Sequence, residues 1–190
     1  LVVAFVLGFG VKSYLDGQTE AQEQHAEKQQ FSETTLFGKD NQPIKLFDET
    51  DDRIRIVYFG FTRCPDVCPT SLAMLSGALN QISDESKAKI RPMFVSLDPE
   101  RDAAEASYEY AQYFNPMIEG MSGPLDVTTN LAHKYGVIFR KTQLEDSELA
   151  YTLDHSSYFY FLKPNGNLIT KVPHTLTPAP IVEAINTLTR

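Results

Sequence analysis

Residues 53–69 read Arg53-Ile54-Arg55-Ile56-Val57-Tyr58-Phe59-Gly60-Phe61-Thr62-Arg63-Cys64-Pro65-Asp66-Val67-Cys68-Pro69. The stretch Arg53 to Phe61 has strand composition, and its second half, Ile56 to Phe61, is continuously apolar, which predicts burial on both faces as in the interior of a parallel sheet. After the segment Thr62 to Pro69, Leu72, Leu75, Leu79 and Ile82 recur at helical spacing. Strand character returns over Arg91 to Leu97 with Met93, Phe94 and Val95 at its centre. Strand, helix and strand in that order form a right-handed parallel crossover.

Downstream of this unit a helix is expected from Ala103 to Phe114, stopped by Asn115-Pro116, and a short one from Thr129 to Tyr135, closed by Gly136 ahead of the strand-like Val137-Ile138-Phe139. Gln143 to Ala150 is polar and acidic and reads as a surface excursion. Tyr158 to Leu162 and Leu168 to Val172 flank Lys163-Pro164-Asn165-Gly166, a hairpin signal, and Ile181 to Leu188 forms a closing amphipathic helix. Upstream, Leu36 to Phe47 alternates around Gly38-Lys39-Asp40-Asn41 and predicts a short hairpin in front of the core. A βαβ half followed by a ββα half is the layout of a thioredoxin-like α/β domain. Its central mixed sheet would be flanked by helices, with an N-terminal hairpin; no internal repeat is present.

The 190 residues, 42% hydrophobic, suffice for one such domain and a tail. A formal charge of −8 leaves no basic stripe to track a phosphate backbone, so no nucleic-acid partner is expected. The chain opens on LVVAFVLGFGV, uncharged up to Lys12, followed by the polar run 13–30. We read residues 1–16 as the end of a membrane anchor, 17–30 as a polar linker and 31–190 as the folded domain. The apolar run is shorter than the roughly 20 residues of a full span, and a cleaved signal is the competing reading. Either places the folded domain outside the cytoplasm, on the periplasmic face of a bacterial inner membrane or in the equivalent mitochondrial intermembrane space, where thiols oxidise unless kept reduced or metallated.

The two cysteines, Cys64 and Cys68, lie between a buried strand and a helix. Each precedes a proline, a residue type that biases its neighbour away from helix, so both are expected in the loop, with Pro69 opening the helix. A helix N-terminus stabilises thiolate, the form that attacks disulfides and binds soft metals. An inert disulfide is the bland alternative, but it would close too small a loop to contribute much stability. A third ligand would come from His25, His133, His155 or His174. His155, directly before the strand Tyr158 to Leu162, has the favoured position, and His174 is the fallback; a packing role for either stays open. Two thiolates and an imidazole suit copper better than zinc, which usually takes a fourth ligand.

Three blocks carry a resemblance. They are Tyr58 to Pro69, Val95-Ser96-Leu97-Asp98-Pro99-Glu100-Arg101-Asp102, and Asp154-His155-Ser156. In this order they closely resemble the Sco/SenC family of copper proteins, from about Phe31 to the C-terminus. The resemblance implies a thioredoxin-like fold, copper held by Cys64, Cys68 and His155, and delivery of copper to, or thiol reduction at, the CuA site of cytochrome c oxidase. It implies as partners the copper-bearing subunit of the oxidase and another copper carrier, and its single N-terminal anchor matches the apolar start. Among the polar residues of these blocks, Asp98 closes a strand and Asp102 caps the next helix on the bland reading. Asp66 and Asp154 are candidates to orient His155 or tune the thiolates. The competing function is enzymatic, a thiol-disulfide oxidoreductase in which Cys64 and Cys68 act as catalytic residues, attacking and resolving.

Overall fold

The computed structural model of the chain describes residues 34–144, 151–190 and Gln18. The expected anchor and, Gln18 apart, the linker lie outside the described residues, as does most of the excursion before Ala150. Among the described residues no helix is long and apolar enough to cross a membrane. Thr35–Arg190 folds as one compact unit.

A short hairpin comes first, β1 (Thr35–Phe37) and β2 (Pro43–Lys45), antiparallel about a turn in which Asp40 and Asn41 take left-handed backbone angles that these two residue types tolerate. The crossover follows as β3 (Ile54–Gly60), α1 (Val67–Leu79), a short α2 (Asp84–Ala88) and β4 (Ile90–Ser96), with β3 and β4 parallel in the register Ile54↔Ile90 to Gly60↔Ser96. Next come α3 (Ala104–Phe114), β5 (Glu119–Met121), α4 (Leu125–Lys134), β6 (Phe139–Gln143) and β7 (Tyr151–His155). The chain closes with β8 (Tyr158–Leu162), β9 (Leu168–Pro173) and α5 (Ala179–Leu188).

The central sheet has the order β5-β4-β3-β8-β9 and is mixed: β3 runs parallel to β4 and antiparallel to β8. This is the thioredoxin-like arrangement expected from the element order. Being central, β3 buries both faces, and Ile56, Val57, Tyr58, Phe59 and Phe61 are at most 1% exposed. That burial dictates the unbroken apolar run. Phe59 packs on Tyr135 and Tyr160, and Tyr58 on Phe159.

Several elements depart from the sequence expectation. Cys68 lies in the first turn of α1 and Pro69 is its third residue, so only Cys64 is in the loop. The first turn of a helix tolerates proline because its N–H groups lack intrahelical acceptors anyway. Ile82 falls beyond the end of α1, and α4 begins four residues before Thr129. The strand expected over Val137 to Phe139 begins at Phe139 and extends through Gln143, where surface excursion was expected. It pairs with β7 in a separate hairpin that periodicity does not reveal, Phe139 opposite His155 and Gln143 opposite Tyr151.

Candidate metal centre

β3 delivers the chain to the cysteine loop at the carboxyl edge of the sheet. The Cys64 amide donates to the Phe61 carbonyl at 3.3 Å, and the Cys64 sulfur accepts from the Cys68 amide, also at 3.3 Å. Asp66 occupies the N-cap position of α1 without capping it. The Cys64 sulfur therefore takes the role that a hydroxyl or carboxylate usually has at a helix start, satisfying one of the free N–H groups. Cys68 is fully buried, whereas Cys64 is half-buried and open to a cleft.

His155 arrives from the other side, at the end of β7. Its Nε2 stands 3.3 Å from the Cys68 sulfur, and its Nδ1 faces the Ser156 carbonyl at 3.2 Å. The rings of Tyr58 and Phe61 meet the imidazole edge-on, with centroids at 6.4 and 5.9 Å. The Cys64 Sγ, Cys68 Sγ and His155 ligand atoms all lie within 4.8 Å of one another. Metal bonds of 2.0–2.3 Å require donors roughly 3.5–4 Å apart, so small side-chain adjustments close this set around one ion. Both sulfurs are free thiols. A cleft of about 280 Å³, lined in part by Phe61, Cys64, Val67, Leu153 and His155, gives access.

The thiols are electrostatically unequal. The hydrogen bond from Cys68, together with a smaller contribution from His155, holds the Cys64 thiol down at about 4 against the opposing effect of burial. The same hydrogen bond, burial and the negative charge on Cys64 push Cys68 far up. The pair thus shares one proton, with thiolate on the accessible sulfur, and a soft cation entering the cleft meets an anion first.

The other candidates are placed elsewhere. Asp66 lines the cleft, with Thr70 Oγ1 at 3.5 Å from its carboxylate. The Asp154 carboxylate accepts from Thr142 Oγ1 at 2.6 Å and lies 3.8 Å from Arg140, across the hairpin, so the Ser156 carbonyl makes the imidazole contact proposed for Asp154. Asp102 does not cap α3, whose N-cap is Ala103; it accepts from the Thr62 amide, the Thr62 hydroxyl and Ser96 Oγ. His174 pairs with Ser71 Oγ at 2.8 Å and His133 stacks against Phe139, while His25 lies outside the described residues. Thr152, Leu153 and Ser157 line the cleft with no signal in the sequence to announce them.

The SCO1/SenC family model matches residues 19–190. Protein SCO1 homolog 1, mitochondrial, of Arabidopsis thaliana is 40% identical over 114 residues, 60% of this chain and 34% of that one. The SCO2-like protein of Rickettsia felis is 33% identical over 136 residues, 72% and 66% of the two chains. Among solved structures, Arabidopsis thaliana ScoI with copper bound superposes with a TM-score of 0.71 at 30% identity, covering 81% of this chain and 94% of that one. The chain spans about a third of the length of the plant SCO1 homolog.

Proposed function

This chain belongs to the SCO1/SenC family, and on that premise we propose that it binds copper through Cys64, Cys68 and His155 as a metallochaperone. It delivers copper to, or matures, the CuA site of cytochrome c oxidase. The observation that carries the reading is the convergence of two thiols and one imidazole nitrogen, within 4.8 Å of one another, from two separate parts of the fold. Two thiolates and an imidazole are a soft, low-coordinate set suited to Cu(I), and a further oxygen ligand from the open cleft completes a Cu(II) site. Release to an acceptor requires an accessible ligand, and Cys64 and His155 are both half-buried where Cys68 is fully buried. The copper-bearing subunit of the oxidase is the acceptor in this reading and another copper carrier the donor. The N-terminal segment holds the domain at a membrane, outside the cytoplasm.

Anaerobic copper titration of the reduced chain tests it, beside His155→Ala and Cys64→Ala. One copper per wild-type chain is expected, with sulfur-to-copper charge-transfer absorption for Cu(II), and affinity falls about 100-fold or more in each variant, roughly 2.7 kcal/mol. Equal affinity in His155→Ala and wild type would sink the three-ligand site.

The unequal thiols favour a second reading, a thiol-disulfide oxidoreductase, because a thiolate open to the cleft beside a buried thiol is an attacking and resolving pair. His155→Ala separates the two, since it abolishes tight copper binding and leaves thiol exchange in place.

A further inference from the structure

The three donors do not belong to one piece of the fold. Cys64 and Cys68 follow β3, while His155 ends a two-stranded sheet that shares no strand pairing with the five-stranded one. At the His155 end the hairpin is hinged to the body through Ser156-Ser157, which lead into β8. A lever hinged at one end has a free angle. A metal site needs its donors held to within about 0.5 Å and 10–20°, so a second point must be fixed.

The segment Asp98-Pro99-Glu100-Arg101-Asp102, after β4, reaches both pieces. On the cysteine side the buried Asp102 carboxylate accepts from the Thr62 amide at 2.8 Å and the Thr62 hydroxyl at 2.6 Å, two residues ahead of Cys64. On the hairpin side Asp98, 2% exposed, accepts from Tyr151 Oη at 2.7 Å and from Arg101 Nε at 2.5 Å. Arg101 Nη1 donates to the Tyr151 carbonyl at 2.9 Å, and the guanidinium lies 3.5 Å over the Tyr151 ring. Lys141, on the neighbouring strand, pairs with Glu100 and sits 4.5 Å over the same ring. Tyr151 is at the opposite end of β7 from His155, where a fixed point constrains the angle most.

We propose that Asp98, Arg101 and Tyr151 are positioning residues of the copper site, a brace that sets the His155 hairpin against the cysteine loop. The inference rests on the three-ligand copper reading. It accounts for a polar cluster that is joined through one short segment to both parts of the site. Buried ion pairs of this kind add little net stability, so the brace acts through geometry.

The test uses the reduced chain carrying Tyr151→Phe, which removes one hydroxyl and keeps the ring, and Arg101→Lys, each alone and combined with His155→Ala. Copper affinity should fall about 10-fold in each single variant, the lower end of what partners outside the ligand shell contribute, and nitrogen hyperfine coupling in the Cu(II) EPR spectrum should weaken. In the His155→Ala background neither change should cost anything further, because no imidazole remains to position. In the metal-free protein, Tyr151→Phe should speed amide exchange across β6 and β7 and leave β3 unchanged. Wild-type affinity in the folded single variants, an equal loss with and without His155, or unchanged hairpin exchange overturns the brace. Should His155→Ala itself bind copper like wild type, the three-ligand reading fails first and takes the brace with it.

Discussion

The polar ends of β3 are built to opposite rules. At its start, Arg55 is fully buried and its guanidinium donates to the carbonyls of Leu46, Asp48, Asp51 and Arg53, with the Asp51 carboxylate 3.6 Å away. Arg91 joins the same cluster, pairing with Glu119 through two bonds of 2.7 Å. Beyond the other end, two thiols and an imidazole face one another with ligand capacity to spare, and one sulfur opens to a cleft. A buried charge that has spent its donors is fixed in place and has nothing left to offer a ligand. Soft donors drawn together without being consumed are poised to bind. The Arg55 end therefore governs whether the chain folds, and the cysteine end what it does once folded.

The largest effect that divides the ends is Arg55→Ala. It takes from four carbonyls the guanidinium they share and leaves Asp51 with Arg53 as its hydrogen-bonding partner, and the loss expected on breaking a buried charge cluster is about 3–5 kcal/mol. Urea unfolding measures it, and copper titration of the fraction still folded should give the wild-type stoichiometry. A loss below about 1 kcal/mol would put Arg55 in the class of dispensable buried charges.

Gly60→Ala sits where the two regimes meet. An added Cβ would lie 3.0 Å from the Cys68 sulfur, from Phe94 Cε2 and from Tyr58 Cε1. Overpacking of this kind costs about 1–3 kcal/mol, and because Cys68 is one of the atoms that must move, copper affinity should fall with stability. If stability falls alone, the core accommodates the methyl by shifting Phe94, and the boundary lies nearer the cysteines.

The two ends also differ in how legible they are in the sequence. The fold is legible, because the apolar run of β3 and the helical spacing of Leu72, Leu75 and Leu79 are local consequences of burial. The hairpins β1–β2, ahead of the core, and β8–β9, within the central sheet, follow from turn residues. The convergence of Cys64, Cys68 and His155 is approached only through the position of His155 before β8. β7, the strand that carries it, has little alternation to betray it, and its partner strand lies across residues that read as excursion. Asp98 and Asp102 read as strand closure and capping, since their partners Tyr151 and Thr62 are 53 and 40 residues distant. Arg55 gives no hint of burial, because the carbonyls that satisfy it belong to a loop.

Acid sharpens the Arg55 end. Hydrogen bonds from Arg53 and the nearby charge of Arg55 hold the Asp51 carboxyl at about 2, below its ordinary 3.8. A carboxyl depressed in the folded state contributes stability that is complete above the ordinary value and is lost as pH falls from about 4 through 2. Asp51 is 21% exposed, so after allowance for solvent screening the contribution is about 1 kcal/mol. Urea unfolding at pH 5 and pH 2.5 should show this loss in wild type, and Asp51→Asn should lack that part of it. An acid limb identical in the variant assigns the loss to other carboxylates.

The smallest expected effect on folding tests the cysteine end most directly. Cys64→Ser exchanges one half-buried atom for another of similar size, and the new hydroxyl can still accept from the Cys68 amide that the sulfur now accepts from. The start of α1 therefore remains satisfied, and metal-free stability should stay within about 0.5 kcal/mol of wild type, as for substitutions outside a sealed core. Copper binding should nevertheless collapse, because a serine hydroxyl is a hard, protonated donor where the site presents a thiolate. Urea unfolding beside copper titration of this one variant separates fold from ligand. A drop of about 2 kcal/mol in the metal-free protein would mean that the sulfur also supports the helix start, and that the two ends of β3 differ less than their hydrogen bonding implies.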